Sequence, residues 1–148
     1  WYDYVPDPAT AAYPLALISP SSEKTINSTL GQLRRSIARL AIHPADAEGR
    51  GISDGDPVRV FNALGEVHCM AQVTPAVAAG TVSLPKGLWR FATLNGATAT
   101  AVTPAAVERR SGGACFNDAR VQVVRMVSAA FAHAEIAVFV PTGGSDVH

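Results

Sequence analysis

The stretch His43-Pro44-Ala45-Asp46-Ala47-Glu48-Gly49-Arg50-Gly51-Ile52-Ser53-Asp54-Gly55-Asp56-Pro57-Val58-Arg59-Val60-Phe61 decides how this chain is read. Pro44 suits the first turn of a helix, where its missing N–H is not needed, and Asp46 and Glu48 sit near that helix's positive end. Gly49 and Gly51 are suited to stop it in a left-handed conformation. Ile52 to Asp56 then reads as a tight turn. Gly55 is free to take positive φ there, and the short carboxylates can accept nearby backbone N–H groups. Pro57 to Phe61 alternates as a half-buried strand does. Asn62-Ala63-Leu64-Gly65 turns the chain, and Glu66 to Val73 returns as a second strand, giving a hairpin.

The same grammar extends in both directions. Downstream, Thr74-Pro75-Ala76-Val77-Ala78-Ala79-Gly80 has a cap, a first-turn Pro and a terminal Gly, which predicts another short helix. Thr81 to Pro85 follows as a strand. Thr103-Pro104 opens a helical segment expected to run to about Arg110, broken by Ser111-Gly112-Gly113, and Val121 to Val127 is the last strand. Its Val121, Val123 and Arg125 are expected on alternating faces. Upstream, Leu15-Ala16-Leu17-Ile18 reads as a short buried strand ended by the polar loop Ser19-Pro20-Ser21-Ser22. Ser36 to Ile42 is a further strand, and Pro6, Pro8 and Pro14 make residues 1 to 14 an extended approach. Six or seven short strands joined by helices of one or two turns predict a mainly β fold, a small barrel rather than a sandwich. The spacing of a Rossmann domain and its GxGxxG are absent.

Composition excludes several function classes. At 148 residues the chain fits one domain, and 48% apolar with 16% charged residues can build a core. Twelve Lys plus Arg balance twelve Asp plus Glu, whereas a chain that lives on phosphate backbones is normally basic, so no nucleic-acid partner is expected. Two cysteines, Cys69 and Cys115, form neither a disulfide framework nor a CxxC motif, and separate thiols in a cytoplasmic protein are expected. The most apolar stretch, Met126 to Val140, carries His133 and Glu135 and is too short to span a bilayer, so no membrane span is expected. Trp1-Tyr2-Asp3-Tyr4 has neither the basic nor the apolar region of a signal peptide. The missing initiator Met leads us to expect a fragment or a processed chain.

Catalytic constellations are equally hard to build. His43, His68, His133 and His148 are far apart and form no metal-ligand spacing. Capping accounts for His43. His68 and Cys69 are adjacent on a strand and point to opposite faces, so packing accounts for them. Turn chemistry accounts for Asp54 and Asp56 better than acid–base work does. GxSxG and Walker A motifs are absent. Polar residues gather instead at strand ends. Ser19, Ser21, Ser22, Asn27, Ser28 and Thr29 follow the first strand, Lys86-Gly87-Leu88-Trp89 follows a later one, and Asn95-Gly96 comes after that. Neutral donors and acceptors with one cation and one indole suit a polyfunctional heterocycle with phosphates, bound rather than transformed.

These residues, in this order, carry a resemblance. Leu40 to Val60 resembles the Pro-x-Asp-Ala, Gly-Ile, Gly-Asp, Val-x-Val signature of the molybdopterin dinucleotide-binding domain. That domain closes the C-terminus of molybdenum and tungsten oxidoreductases of the dimethyl sulfoxide reductase type. Leu17 to Pro20 and Ile26 to Ser28 resemble its first cofactor loop, Asn62 to Gly65 its hairpin turn, and Val82 to Trp89 its Gly-x-Trp segment. Asn95 and Gly113 to Val123 resemble its closing part. The resemblance implies a six-stranded double-psi β-barrel over residues 13–126, after a linker at 1–12 and before an extension at 127–148. It also implies that the barrel holds part of a molybdopterin guanine dinucleotide without being catalytic itself. The metal ligand and substrate funnel would belong to other domains of the parent oxidoreductase. The matching cofactor positions are Ser19, Ser21, Asn27, Ser28, Lys86, Trp89, Asn95 and Asn117. Residues 90 to 103, rich in Ala and Thr, depart from the family pattern.

Two other classes share parts of the pattern. The N-terminal barrel of certain AAA+ ATPases, a substrate-recognition or partner-binding module, carries the same Gly-Asp turn but does not require the polar loop from Ser19 to Ser28. A pyruvoyl-type decarboxylase barrel needs a self-cleaving Gly-Ser at a strand end, and none occurs before Gly144-Ser145.

Overall fold

Period-two alternation of apolar residues writes the strands, and the backbone follows it. A computed structural model describes residues 11–21, 28, 36–105, 112, 117 and 119–127. Among them are six strands: β1 (Leu15–Ile18), β2 (Arg39–Ile42), β3 (Pro57–Phe61), β4 (Glu66–Val73), β5 (Thr81–Ser83) and β6 (Ala119–Arg125). They close into a barrel in the order β1-β5-β2-β4-β3-β6. Two pairs are parallel, β1 with β5 and β2 with β4, and the others are antiparallel. Each parallel pair needs a crossover that carries the chain from one rim to the other. This interleaving is the expected double-psi topology.

Inward positions are apolar on every strand. Leu15, Leu17, Leu40, Ile42, Val58, Val60, Val67, Cys69, Val82, Val121 and Val123 are all at most 1% exposed. Each such aliphatic contributes about 1.5–3 kcal/mol by leaving water, so the barrel interior is the core of the protein. Burial also pushes the Cys69 thiol up to about 12. Arg125 corrects the alternation read from sequence: the last two residues of β6 are exposed, and its guanidinium turns out to Asp56.

One helix forms as its signals dictate, α1 (Pro44–Glu48). The His43 ring accepts the Ala45 N–H at 3.2 Å as the cap, and Pro44 opens the first turn. Gly49 stays right-handed, and it is Gly51 that takes the positive φ. The turn before β3 forms as expected. Gly55 has φ +82°, a region that favours glycine, and the Asp56 carboxylate accepts the Ser53 N–H at 2.9 Å.

The second expected helix does not form. Thr74 does cap, accepting the Ala76 N–H at 3.2 Å, but the segment breaks into turns. Its backbone is spent on other elements. The Gly80 N–H donates to Asp46 Oδ2 at 2.7 Å, and Gly80 O accepts the Ala16 N–H at 2.9 Å. Thr103 to Ala105 is not helical either; the rest of that expected helix lies outside the described residues, as does Cys115. Short 3-10 helices appear instead at Arg90–Ala92 and Ala99–Ala101. No helix among the described residues is long and apolar enough to cross a membrane.

Asp56 accepts both the Ser53 N–H and, at 2.9 Å, the Arg125 side chain. Asp56→Ala is therefore expected to cost about 1–3 kcal/mol in a urea melt, through lost charge-assisted bonds and an unpaired donor. A change within about 0.5 kcal/mol, the range of ordinary surface substitutions, would overturn this account of the turn. A second expectation concerns Cys69. Iodoacetamide at pH 8 should leave it unmodified in the native chain and alkylate it after denaturation, read by peptide mass spectrometry.

Candidate functional site

Strand register decides which loops share a rim. β1 and β5 run parallel, so the residues after both strands emerge together: Ser19 after one, Lys86 and Gly87 after the other. β6 runs antiparallel to β1, which puts Asn117, just ahead of β6, at that same end. The Ser19 N–H donates to Asn117 Oδ1 at 3.1 Å and ties two of these loops together. The Lys86 N–H donates to Pro20 O at 3.2 Å and ties in the third.

Between them lies a cavity of about 340 Å³, lined by Ser19, Lys86, Gly87, Ala99, Thr100, Thr103 and Asn117. That volume suits a small ligand or one portion of a larger one. The polar lining is one ammonium, one carboxamide and three hydroxyl groups, and none of the lining residues is a carboxylate. Such a wall can bind an anionic or acceptor-rich group without repelling it.

One atom in this wall stands out. Ser19 Oγ is buried and has no hydrogen-bond partner among the described residues. Leaving a hydroxyl so costs about 1–3 kcal/mol, and native proteins seldom tolerate it without a reason. A ligand atom in the cavity is such a reason, and the donor set around Ser19 fits part of a phosphate-bearing heterocycle.

A model of the family described as "Molydopterin dinucleotide binding domain" matches residues 15–120. The chain belongs to the molybdopterin dinucleotide-binding domain family. The dimethyl sulfoxide reductase DmsA of Escherichia coli (strain K12) is 41% identical over 87 residues, covering 56% of this chain and 11% of the relative. The probable oxidoreductase YoaE of Bacillus subtilis (strain 168) is 31% identical over 128 residues, 83% of this chain and 19% of the relative. The domain thus spans between a tenth and a fifth of the length of these two relatives. Among solved structures, acetylene hydratase from Pelobacter acetylenicus superposes with a TM-score of 0.65 at 18% identity, over 79% of this chain and 19% of that one. This last likeness speaks for the barrel alone.

The residues singled out from the domain's sequence separate into groups. Ser19, Lys86 and Asn117 meet at the cavity. Ser28 and Trp89 meet each other beside it in sequence but do not line it: the indole N–H donates to Ser28 O at 2.8 Å. Ser28 has φ +57°, the one positive value at a non-glycine among the described residues. Trp89 is 42% exposed and its ring lies 5.9 Å from that of Phe91. Ser21 is exposed, and Asn27 lies outside the described residues. Asn95 goes elsewhere. Its Oδ1 accepts the N–H groups of His68 and Ala97, and its Nδ2 donates to Glu66 O at 3.1 Å, so its amide serves to fasten a loop to β4.

Near that fastening, Glu66 stands between Arg59 and His68. The Arg59 hydrogen bond holds the Glu66 carboxyl below its ordinary range. This carboxylate works on the outside of the barrel and does not line the cavity.

Sequence reading missed Thr100 and Thr103 as cavity residues. Thr103 does not open the helix expected after it; its Oγ1 donates to Ala99 O at 2.8 Å. The available signal was the run of hydroxyls at Thr98, Thr100 and Thr103 ahead of Pro104.

Because the Ser19 hydroxyl has no partner among the described residues, Ser19→Ala should leave the domain's stability unchanged or raise it by up to about 1 kcal/mol in a thermal melt. A loss above about 0.5 kcal/mol would mean that the hydroxyl is satisfied within the chain.

Proposed function

We propose that this domain holds one portion of a molybdopterin guanine dinucleotide at the rim cavity, within a larger molybdenum or tungsten oxidoreductase, and is not catalytic by itself. The observation that carries the reading is the buried, unpaired Ser19 Oγ in a cavity whose polar groups include a cation and no carboxylate. The chemistry such a cofactor supplies is the redox work of the metal it carries. This chain's part is to bind and orient. Lys86 offers a positive charge to the pyrophosphate region, Ser19, Thr100 and Thr103 offer hydroxyls, and Asn117 offers an amide N–H₂ whose oxygen is engaged by Ser19 N–H. Ser21, Asn27, Ser28 and Trp89, close to these residues in sequence, are the further contacts we assign to this cofactor. Asn95, with its amide engaged on β4, supports that surface from outside.

In this reading the barrel occupies residues 13–126, and its partners are the other domains of the parent enzyme. The small share of each relative that the chain covers supports such partners. Cys69, a free and buried thiol, supports a cytoplasmic location.

The test is a Ser19→Ala, Lys86→Ala, Asn117→Ala variant of the enzyme that carries this chain, followed by gel filtration and measurement of pterin per protein. Single hydrogen bonds contribute about 0.5–1.5 kcal/mol, so the combined variant should retain at most about a tenth of the pterin. Undiminished pterin in a folded variant would overturn the reading. The 148-residue chain alone, supplied with molybdate or tungstate, should show background rates in dye-linked reduction assays.

A further inference from the structure

The cavity has two walls that do not belong to the barrel strands: the segment around the 3-10 helix Ala99–Ala101 with Thr103, and the approach to β6 at Asn117. Both come to one side chain outside the cavity. Asn62, in the turn between β3 and β4, donates through Nδ2 to Val102 O at 2.7 Å and to Arg120 O at 3.0 Å. Val102 is fully buried and stands between the cavity residues Thr100 and Thr103. Arg120 is the second residue of β6, three positions after Asn117, whose Oδ1 holds Ser19. The remaining groups of Asn62 are also engaged: Oδ1 accepts the Leu64 N–H at 2.9 Å, and its own N–H donates to Gly65 O at 3.1 Å.

The same turn presses on the same wall a second time. A Cβ on Gly65 would lie 2.8 Å from Ala101 O, closer than real Cβ contacts come, so the turn and the wall fit only because residue 65 has no side chain.

We propose that Asn62 is a positioning residue that sets the separation of the two cavity walls by clamping Val102 O and Arg120 O with one amide, while Gly65 sets how near the turn approaches the first wall. The proposal rests on the reading of the cavity as the cofactor site. Its chemistry is specific to a carboxamide. Aspartate has the same size and still accepts the Leu64 N–H, but it has no N–H₂. It would set carboxylate oxygen against two carbonyl oxygens at distances built for donation. The Val102 segment then loses its tie to the start of β6, which carries the second wall, although the strands keep every ladder bond.

The experiment uses two variants of the enzyme that carries this chain, Asn62→Asp and Gly65→Ala, beside Ser19→Ala, Lys86→Ala as the direct cavity variant. Two quantities are read: pterin per protein after gel filtration, and amide hydrogen exchange by peptide mass spectrometry. Asn62→Asp is expected to speed exchange about tenfold in peptides covering 99–103 and 117–120, and Gly65→Ala in those covering 99–103, with β2 and β4 peptides unchanged. Both are expected to lower pterin content as the direct variant does. Uniformly faster exchange over the whole barrel would reduce Asn62 to general stability and overturn the proposal. So would unchanged exchange at the walls, or full pterin in both turn variants while the direct variant loses it. If the direct variant itself keeps its pterin, the cofactor reading of the cavity falls, and the exchange data alone then decide whether Asn62 clamps the walls.

Discussion

Closing six strands on themselves leaves an interior no wider than the side chains that fill it. Here that interior is taken up by Leu15, Leu17, Leu40, Ile42 and the inward valines, all without solvent contact or nearly so. Nothing else fits inside. Any ligand must therefore sit on a rim, and any rim site must be made from the connections between strands. The number of residues available for a site is set by how many of those connections reach one end, and the parallel pairs β1·β5 and β2·β4 settle that. They deliver the loops after β1 and β5 to one rim and the loops after β2 and β4 to the other.

That division sorts the polar residues by task. β2 runs antiparallel to β5, so α1 and the turn before β3 lie at the rim away from Lys86. There three aspartates are bonded to backbone: Asp46 to Gly80 N–H, Asp54 to Val73 N–H, Asp56 to Ser53 N–H. Each satisfies a donor that strand pairing leaves over, and each keeps a negative charge away from the cavity. At the cavity rim the pins are neutral: Asn62, Asn95 and Thr93 are spent on carbonyls and N–H groups outside the pocket, and Thr103 on Ala99 O within its wall. The result is a cavity with one ammonium and uncharged donors. Ser19 is the exception: its buried hydroxyl has no partner among the described residues.

What could be read from the sequence follows the same line. The alternation in β1, β3, β4 and β6 and the hairpin at Asn62 were legible because side-chain burial on a strand is a local, period-two property. The helix at Pro44 was legible because its cap, first-turn Pro and stop are neighbours in sequence. The helix expected at Thr74 to Gly80 has the same local signals. It fails because Asp46 and Ala16, distant in sequence, take the backbone groups of Gly80. At the cavity, Ser19 and Lys86 were legible as polar residues at strand ends and Asn117 through the family resemblance, while Thr100 and Thr103 were not. They lie in a segment with no strand of its own, shaped by its own short-range bonds and by Asn62 and Gly65, about 40 residues away in sequence. No local pattern could have reported that.

The most recognisable stretch of this sequence therefore does not line the cavity. His43 to Phe61 is informative because a capped helix, a glycine turn and an entering strand each demand particular residues at fixed offsets. It sits at the rim opposite the cavity, where geometry is demanding and chemistry is not. The cavity side asks for less at any one position: a hydroxyl here, an amide there, one cation, with spacing supplied by the barrel. A strong signature at one rim and a faint one at the other is what a fold should show when one end must close it and the other end must leave room for a ligand. The closure residues can be read because the backbone dictates them. The cavity residues become visible only once the register of β1 with β5 and β6 has brought three distant loops together.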